Sequence, residues 1–299
     1  MEWPHFKFTI SAEDQAKLAR SMQLLSQRYN ENRPDPWGLN LETVEEMLKF
    51  FFPLYRNYFN VRIFGAENVK NVPYMVTANH TGQIAFDGLL LGIAFGIEIE
   101  PPRILRAMVE RFLSVLPFIG EFFAKGGSVL GDRQNCLWLL ERGESIMVFP
   151  EGVRGINKDT KDFYNLQKFT QGFFRLALKT GTDILPVAVV GAEEAYPIVH
   201  NAKKVANLFG LPSFPVTPTW PMLGPLGALP LPTQIDIYIG EPYKIPRDLD
   251  PEAPDHKIAE HVLIIEEKIK AMIAKGLPHR RGYHLPFPKA EGVFRAFNK

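Results

Sequence analysis

Short apolar runs alternate with amphipathic stretches along residues 61–250. The runs have the length of strands, whereas the stretches between them are long enough for helices. This alternation is typical of an α/β fold with a mostly parallel central sheet flanked by helices. Strands are predicted at residues 61–64, 74–78, 104–108, 145–149, 184–190 and 235–239, and helices at 88–95, 111–123 and 254–275. The strand at 235–239 alternates apolar and polar residues and is expected to close the sheet.

The first sixty residues predict an N-terminal helical region that precedes the α/β core of residues 61–250. Ser11 is placed to cap a helix that runs to residue 29, and a linker rich in proline leads to a second helix from Leu41. Phenylalanines widen the apolar stripe of that second helix beyond an ordinary core-facing face. It is therefore expected either to pack in a core or to lie partly in a membrane surface. Residues 251–299 are expected to form a C-terminal helix and a basic tail that packs on the domain.

Composition excludes several classes of protein. The 299 residues are 46% hydrophobic and 22% charged, as in a globular protein, and the formal charge of +1 gives no reason to expect a nucleic-acid partner. The single cysteine, Cys136, excludes an intrachain disulfide and is expected to be a buried apolar residue. Neither a secretory signal nor a simple membrane-spanning run is recognised. These features favour the cytoplasmic side, with peripheral or monotopic membrane attachment.

An uncharged segment is the most unusual part of the chain. No charged residue lies between Lys204 and Asp236, and residues 211–232 contain seven prolines among large apolar side chains. Proline at this density prevents a regular helix. The segment is expected either to fold over the core of the protein or to dip into a membrane and surround an acyl chain; a disordered linker is the third alternative.

Candidate chemistry is concentrated at the ends of two predicted strands. His80 follows the strand at 74–78, and the turn Pro150-Glu151-Gly152 follows the strand at 145–149, with Arg154 close behind. Ligands of open α/β sheets bind outside the carboxyl ends of the strands. A neutral histidine can accept a proton from a hydroxyl when a carboxylate, here Asp87, holds its other nitrogen. Taken alone, each of these residues could be purely structural.

In their order along the chain, these motifs resemble those of the glycerolipid acyltransferases, the lysophosphatidic acid acyltransferase-like enzymes. The family pattern of Asn-His with a downstream Asp is matched by Asn79, His80 and Asp87. It continues through residues 127–133, which end in Asp-Arg, and through Phe-Pro-Glu-Gly at residues 149–152, and it closes at the strand-opening Pro186. The resemblance covers residues 61–242 and implies phospholipid biosynthesis at a membrane.

The resemblance assigns roles to individual residues. It implies that His80 is the general base and that Asp87 orients it. Arg133 and Arg154 suit a phosphate of the acceptor or of coenzyme A because a guanidinium forms paired charged hydrogen bonds. Glu151 is expected to bind an acceptor hydroxyl, and the glycines of the turn would let backbone amides approach an oxyanion. Asn79, Gly82 and Gly152 complete the predicted substrate-binding residues.

The spacing between His80 and Asp87 departs from the family pattern. Four residues usually separate the two side chains, but Ala85 occupies the usual position of the aspartate and Asp87 comes two residues later. On a helix, two residues correspond to a rotation of about 200°. Contact therefore requires an extended or bulged turn, which Gly82 permits. Otherwise Glu151 or a backbone carbonyl must orient the ring.

The expected function is that of a membrane-associated O-acyltransferase. Acyl-CoA or acyl-carrier protein would supply the acyl group, a glycerolipid hydroxyl would accept it, and neither a metal nor another cofactor would be needed. The acyl chain is expected to lie among the helices at 44–59 and 111–123 and the loop at 208–232. Two alternatives stay open: a thioesterase or lipid hydrolase that uses the same base on water, and a lipid-binding homologue without activity.

Overall fold

A computed structural model gives the architecture of most of the chain. It describes residues 9–29, 35–81, 86–111, 119–156, 158, 160–197, 200–202, 215–217, 222, 224, 227 and 229–283. The predicted substrate-binding residue Gly82 lies outside this part. So do most of the proline-rich segment, the first half of the helix predicted at 111–123 and the basic tail beyond residue 283.

Eight α-helices lie in the described residues. They are α1 (Ala12–Arg28), α2 (Leu41–Pro53), α3 (Phe86–Ile93), α4 (Ile119–Lys125), α5 (Arg133–Glu141), α6 (Val153–Ile156), α7 (Gly172–Thr180) and α8 (Asp255–Gly276). The predicted cap is present, because the side chain of Ser11 accepts a hydrogen bond from the Asp14 N–H at 3.1 Å. Asn40 caps α2 in the same way, through the Thr43 N–H at 2.8 Å.

The helices surround a seven-stranded sheet. Its strands are β1 (Arg62–Phe64), β2 (Met75–Ala78), β3 (Leu105–Val109), β4 (Val129–Leu130), β5 (Ser145–Val148), β6 (Ile184–Val190) and β9 (Asp236–Ile239). The order across the sheet is β1-β9-β6-β2-β5-β3-β4, and only the pairing of β9 with β6 is antiparallel. Two short strands, β7 (His200–Asn201) and β8 (Pro215–Val216), form a separate antiparallel pair. The predicted mostly parallel α/β fold is confirmed.

Strand β9 differs from its prediction. It does not close the sheet but lies between β1 and β6, and all four of its residues are buried. The polar member of the alternating pattern, Asp236, is buried because Arg62 and Arg281 both form ion pairs with it, at 2.7 and 2.8 Å. Paired charges therefore allow the full burial of a strand in which apolar and polar residues alternate.

Two apolar cores cover the two faces of the sheet. Alternate residues of β6 face opposite cores, with Val187 and Val189 in one and Ala188 and Val190 in the other. Helices α1, α2 and α3 pack in the first core, and α5, α7 and α8 pack in the second. The N-terminal helices therefore share a core with the sheet.

Helix α2 and the turn that follows it are packed mainly in the first core. Phe52 and Tyr55 are fully buried, whereas Phe50 is 63% exposed. This burial supports the interpretation of α2 as a core helix. Only the exposed part of its apolar stripe, which includes Phe50, is free to contact a membrane surface. Among the helices of the described residues, none has both the length and the apolar character needed to cross a bilayer.

Candidate active site

The site is assembled at the carboxyl ends of β2 and β5, which are parallel neighbours in the middle of the sheet. His80 comes two residues after β2, and Glu151 comes three residues after β5. Asn79 fixes the chain between β2 and His80. Its buried amide accepts a hydrogen bond from the Val189 N–H at 2.8 Å and donates one to the Val189 carbonyl at 3.0 Å. Asn79 thus anchors the site, and both ends of its amide are occupied by the protein.

The imidazole of His80 contacts Asp87 directly. Nδ1 lies 2.7 Å from Oδ2 of Asp87, a carboxylate that is fully buried in the first turn of α3. The backbone N–H groups of Thr81 and Gly88 also donate to this carboxylate, at 2.7 and 2.8 Å. The longer spacing therefore still allows contact, and Asp87 rather than Glu151 is the carboxylate that is bonded to the ring.

Two further contacts fix the position of His80. Its ring stacks on Phe149, with centroids 4.1 Å apart and planes inclined by 15°. Its backbone N–H donates to Oε1 of Glu151 at 2.8 Å. The His80 side chain is 13% exposed, and no described residue hydrogen-bonds to Nε2. With Nδ1 donating to Asp87, Nε2 carries the lone pair and is the nitrogen available to a substrate.

Glu151 has a different position from the one expected for a substrate ligand. Its side chain is fully buried. While Oε1 accepts from His80, Oε2 accepts from the Gln167 N–H at 2.7 Å and lies 3.3 Å from the ammonium of Lys158. Both oxygens are therefore engaged by the protein, and Glu151 holds the backbone of His80.

Behind Glu151 lies a buried charged cluster that sequence reasoning missed. Lys158 Nζ also lies 2.9 Å from Oε1 of Glu193, whose Oε2 accepts from the Tyr164 N–H at 2.5 Å. Burial would lower the pKa of Lys158, but the attraction of Glu193 and Glu151 outweighs burial and raises it. Burial raises the pKa of Glu193 to about 7, although Lys158 opposes the change. The sequence signal was the Glu193-Glu194 pair at the end of a fully apolar strand.

Gly155 allows the two strand ends to approach each other. A Cβ atom at this position would lie 2.8 Å from Cβ of His80 and 2.9 Å from Cβ of Glu151. Real Cβ atoms do not pack this closely, so a side chain would push His80 and Glu151 apart. The N–H of Gly155 donates to the Gly152 carbonyl, and the N–H of Gly152 donates to the Phe149 carbonyl, both at 2.9 Å. These amides stabilise the turn and are not directed at a ligand.

The two predicted phosphate ligands lie on the surface. Arg154 is exposed on α6, three residues beyond Glu151, and one of its nitrogens donates to the Lys168 carbonyl at 2.8 Å. Arg133, at the start of α5, forms an exposed ion pair with Glu252 at 3.0 Å. The structure brings neither guanidinium into contact with His80. Arg154 is the nearer along the chain and the less engaged of the two.

Other nucleophiles and metal ligands do not form a second site in the described part of the chain. Cys136 is buried in the second core, and burial raises the pKa of its thiol to about 11. A thiol in this environment is a poor nucleophile. Within the described residues, no group of three or more histidines, cysteines, aspartates or glutamates is arranged to hold a metal ion.

Comparisons with known proteins agree with this geometry. A family model described as Acyltransferase matches residues 60–190, which contain His80, Asp87 and Glu151. An uncharacterized protein of Mycobacterium tuberculosis is 40% identical over 205 residues, which cover 68% of this chain and 56% of that protein. A 1-acyl-sn-glycerol-3-phosphate acyltransferase of Saccharomyces cerevisiae is 30% identical over 141 residues, 44% of this chain and 43% of that enzyme. The chain thus spans just over half the length of the mycobacterial relative.

The fold has a counterpart among solved structures. The crystal structure of the 1-acyl-sn-glycerophosphate acyltransferase PlsC from Thermotoga maritima superimposes with a TM-score of 0.50 at 20% identity, over 78% of each chain. At this identity the similarity concerns the fold alone. Residues 60–190 therefore form an acyltransferase domain, and the chain is similar to 1-acyl-sn-glycerol-3-phosphate acyltransferases.

Proposed function

We propose that the protein transfers a fatty acyl group from a thioester to a hydroxyl of a glycerolipid acceptor, with His80 as the general base. The observation that carries this proposal is the 2.7 Å contact between Nδ1 of His80 and the buried carboxylate of Asp87. This contact selects the tautomer in which Nε2 accepts a proton. The acyltransferase domain and its similarity to a 1-acyl-sn-glycerol-3-phosphate acyltransferase support the choice of acceptor.

The proposed reaction needs one proton relay. Nε2 of His80 takes the proton of the acceptor hydroxyl while the oxygen attacks the carbonyl carbon of the thioester. Asp87 stabilises the imidazolium that forms. The tetrahedral intermediate then collapses with cleavage of the carbon–sulfur bond, and the imidazolium returns the proton to the leaving thiolate. The products are an ester and a free thiol, and neither a metal nor an acyl-enzyme takes part.

Acyl-CoA and acyl-carrier protein are the two donors that fit this reaction. Both present a phosphate-bearing arm next to the thioester, and Arg154 is an exposed guanidinium on the helix that follows Glu151. Of the two arginines, Arg154 is the one to which we assign phosphate binding. Arg133 can contribute only if the anion shares it with Glu252. The acceptor would be reached from the cytoplasmic face of a membrane, where the chain binds peripherally or monotopically.

Product analysis tests the proposal. The purified full chain is incubated with radiolabelled palmitoyl-CoA or palmitoyl-carrier protein and, in turn, with glycerol-3-phosphate, lysophosphatidate, another lysophospholipid or diacylglycerol. The proposal predicts a labelled ester that appears only with an acceptor. Free fatty acid in place of an ester would identify a thioesterase instead. Label that stays in the donor under every condition, with lipid bound, would identify a lipid-binding homologue.

Membrane attachment has a separate test. The full chain is floated with liposomes of anionic and of zwitterionic lipid, beside a variant in which residues 208–232 are shortened. Membrane entry by this segment predicts that the variant binds less. Equal binding by both proteins would show that residues 208–232 do not attach the chain to the bilayer.

A further inference from the structure

The ammonium of Lys158 is buried directly behind the candidate active site. The side chain is 4% exposed, and Nζ lies 3.3 Å from Oε2 of Glu151 and 2.9 Å from Oε1 of Glu193. A buried ammonium is costly unless it is paired and hydrogen-bonded. Here two carboxylates share it. Glu151 and Glu193 are therefore held at a fixed separation by one cation.

Each carboxylate of this cluster is also tied to backbone. Glu151 accepts from the N–H groups of His80 and Gln167, at 2.8 and 2.7 Å. Glu193 accepts from the N–H of Tyr164. Each carboxylate thus has one oxygen directed at Lys158 and another that takes a backbone N–H. A displacement of the ammonium would rotate the Glu151 carboxylate and with it the acceptor of the His80 N–H.

We propose that Lys158 is a positioning residue for the acyl transfer described above: it fixes the Glu151 carboxylate, and through it the backbone and ring of His80. The reaction named here rests on the proposed function, but the contacts that connect Lys158 to His80 do not depend on it. Two contacts, Lys158 to Glu151 and Glu151 to the His80 N–H, make up this connection, and the His80 ring itself is hydrogen-bonded to Asp87 and stacked on Phe149.

The position of Glu193 does not depend on Lys158 alone. The next residue, Glu194, accepts hydrogen bonds from the hydroxyl of Tyr164 and from Arg280. The same tyrosine hydroxyl accepts a bond from the Gly191 N–H at 2.9 Å. Residues 191–194 therefore remain anchored when the ammonium is removed, so the change at Lys158 is expected to act on the Glu151 side.

The charge of the cluster decides which variant to make. Replacing Lys158 alone would leave two buried carboxylates without a cation, a change that can unfold a protein. The double variant Lys158→Met/Glu193→Gln removes one positive and one negative charge and leaves Glu151 with its two backbone donors. Lys179→Met, on the exposed face of α7, is the matched control for loss of a lysine.

Two readouts on the full chain test the inference. The first is kcat and KM with the donor and acceptor that give product. The second is the pair of imidazole nitrogen resonances of His80 in protein labelled with ¹⁵N-histidine, assigned by loss of the signal in His80→Gln. The double variant is expected to lose about tenfold or more in kcat, as for a misplaced catalytic group, with KM changed less than threefold. Its His80 resonances are expected to shift, while Lys179→Met matches the wild type in both readouts.

A folded double variant whose His80 resonances coincide with those of the wild type would overturn the inference. If the double variant does not fold, Lys158→Gln/Glu193→Gln gives the same test, because it also removes the ammonium beside Glu151 but keeps a polar side chain at position 158, and the His80 resonances are again expected to move. Unchanged resonances in that folded variant would also overturn it. A wild type without transfer activity would refute the proposed function, and the resonances alone would then decide the role of Lys158.

Discussion

Nδ1 of His80 lies 2.7 Å from Oδ2 of Asp87, although six residues lie between them in the sequence. The contact joins the end of β2 to the first turn of α3. Because the carboxylate is fully buried and also accepts two backbone N–H groups, its orientation is fixed before any substrate binds. This relationship preorganises the His80 ring for the proposed role of general base.

Asp87→Asn tests the orienting role of the carboxylate. An amide of the same size can still accept a backbone hydrogen bond, but it cannot stabilise the imidazolium and can favour the wrong tautomer. We expect kcat to fall at least about a hundredfold, with a small change in KM. Steady-state kinetics of acyl transfer measure both quantities.

The control for Asp87→Asn is a double variant that also carries His80→Ala. His80 and Asp87 act as a unit, so His80→Ala/Asp87→Asn is expected to be no slower than His80→Ala alone. Independent, multiplying losses in the double variant would mean that Asp87 contributes by another route.

Gly155→Ala tests the close approach of the strand ends. The new methyl group would lie within 3 Å of Cβ of both His80 and Glu151. We expect kcat to fall about tenfold or more because His80 is displaced. We also expect the free energy of unfolding to fall by about 1–3 kcal/mol because the site is overpacked.

Gly172→Ala is the matched control for the glycine variant. This residue is at the start of α7, and a Cβ there would meet nothing within 4 Å. Activity and unfolding free energy close to the wild type are expected. Equal kcat in Gly155→Ala and Gly172→Ala would show that the contact at Gly155 does not position the base.

The pKa of Glu193 predicts a pH dependence of stability. Burial raises this pKa from 4.5 to about 7 in the folded chain, so the folded state binds more protons than the unfolded state between these values. The contribution of this protonation to the free energy of unfolding is fully present below pH 4.5 and is lost as the pH rises through about 7. We expect the unfolding free energy to fall by about 2–3 kcal/mol between pH 5 and pH 8 on account of this group.

Chemical denaturation at the two pH values, on the wild type and on Glu193→Gln, measures this contribution. The variant carries no titrating group at position 193, so its unfolding free energy should fall by less than that of the wild type. Equal decreases in the two proteins would mean that Glu193 does not titrate differently in the folded and unfolded chains.

Much of the fold follows from local pattern. The buried strand before His80, the Ser11 cap and the mostly parallel sheet were predicted because apolar runs and capping residues act over a few positions. The place of β9 inside the sheet was not, since strand order depends on contacts between distant segments. The burial of Asp236 could not be predicted either, because its two arginine partners come from distant positions, 62 and 281.

The candidate site was predicted in the same uneven way. His80, Asp87 and Glu151 carry motifs and were identified, and the structure brings them together. The buried position of Glu151 and the protein partners of both its oxygens could not be predicted, since they are visible only in three dimensions. Lys158 was missed because a lone lysine in a polar stretch has no signature, and its partner Glu193 is thirty-five residues away.

The central claim is that the His80 imidazole takes the proton of the acceptor hydroxyl, and turnover of His80→Ala tests it most directly. The variant is assayed beside the wild type with the thioester and acceptor that give the labelled ester, after its folding has been checked by thermal unfolding. The account predicts that kcat falls at least about a hundredfold, as expected for loss of a general base. A folded His80→Ala protein that forms the ester at a near-normal rate would contradict it.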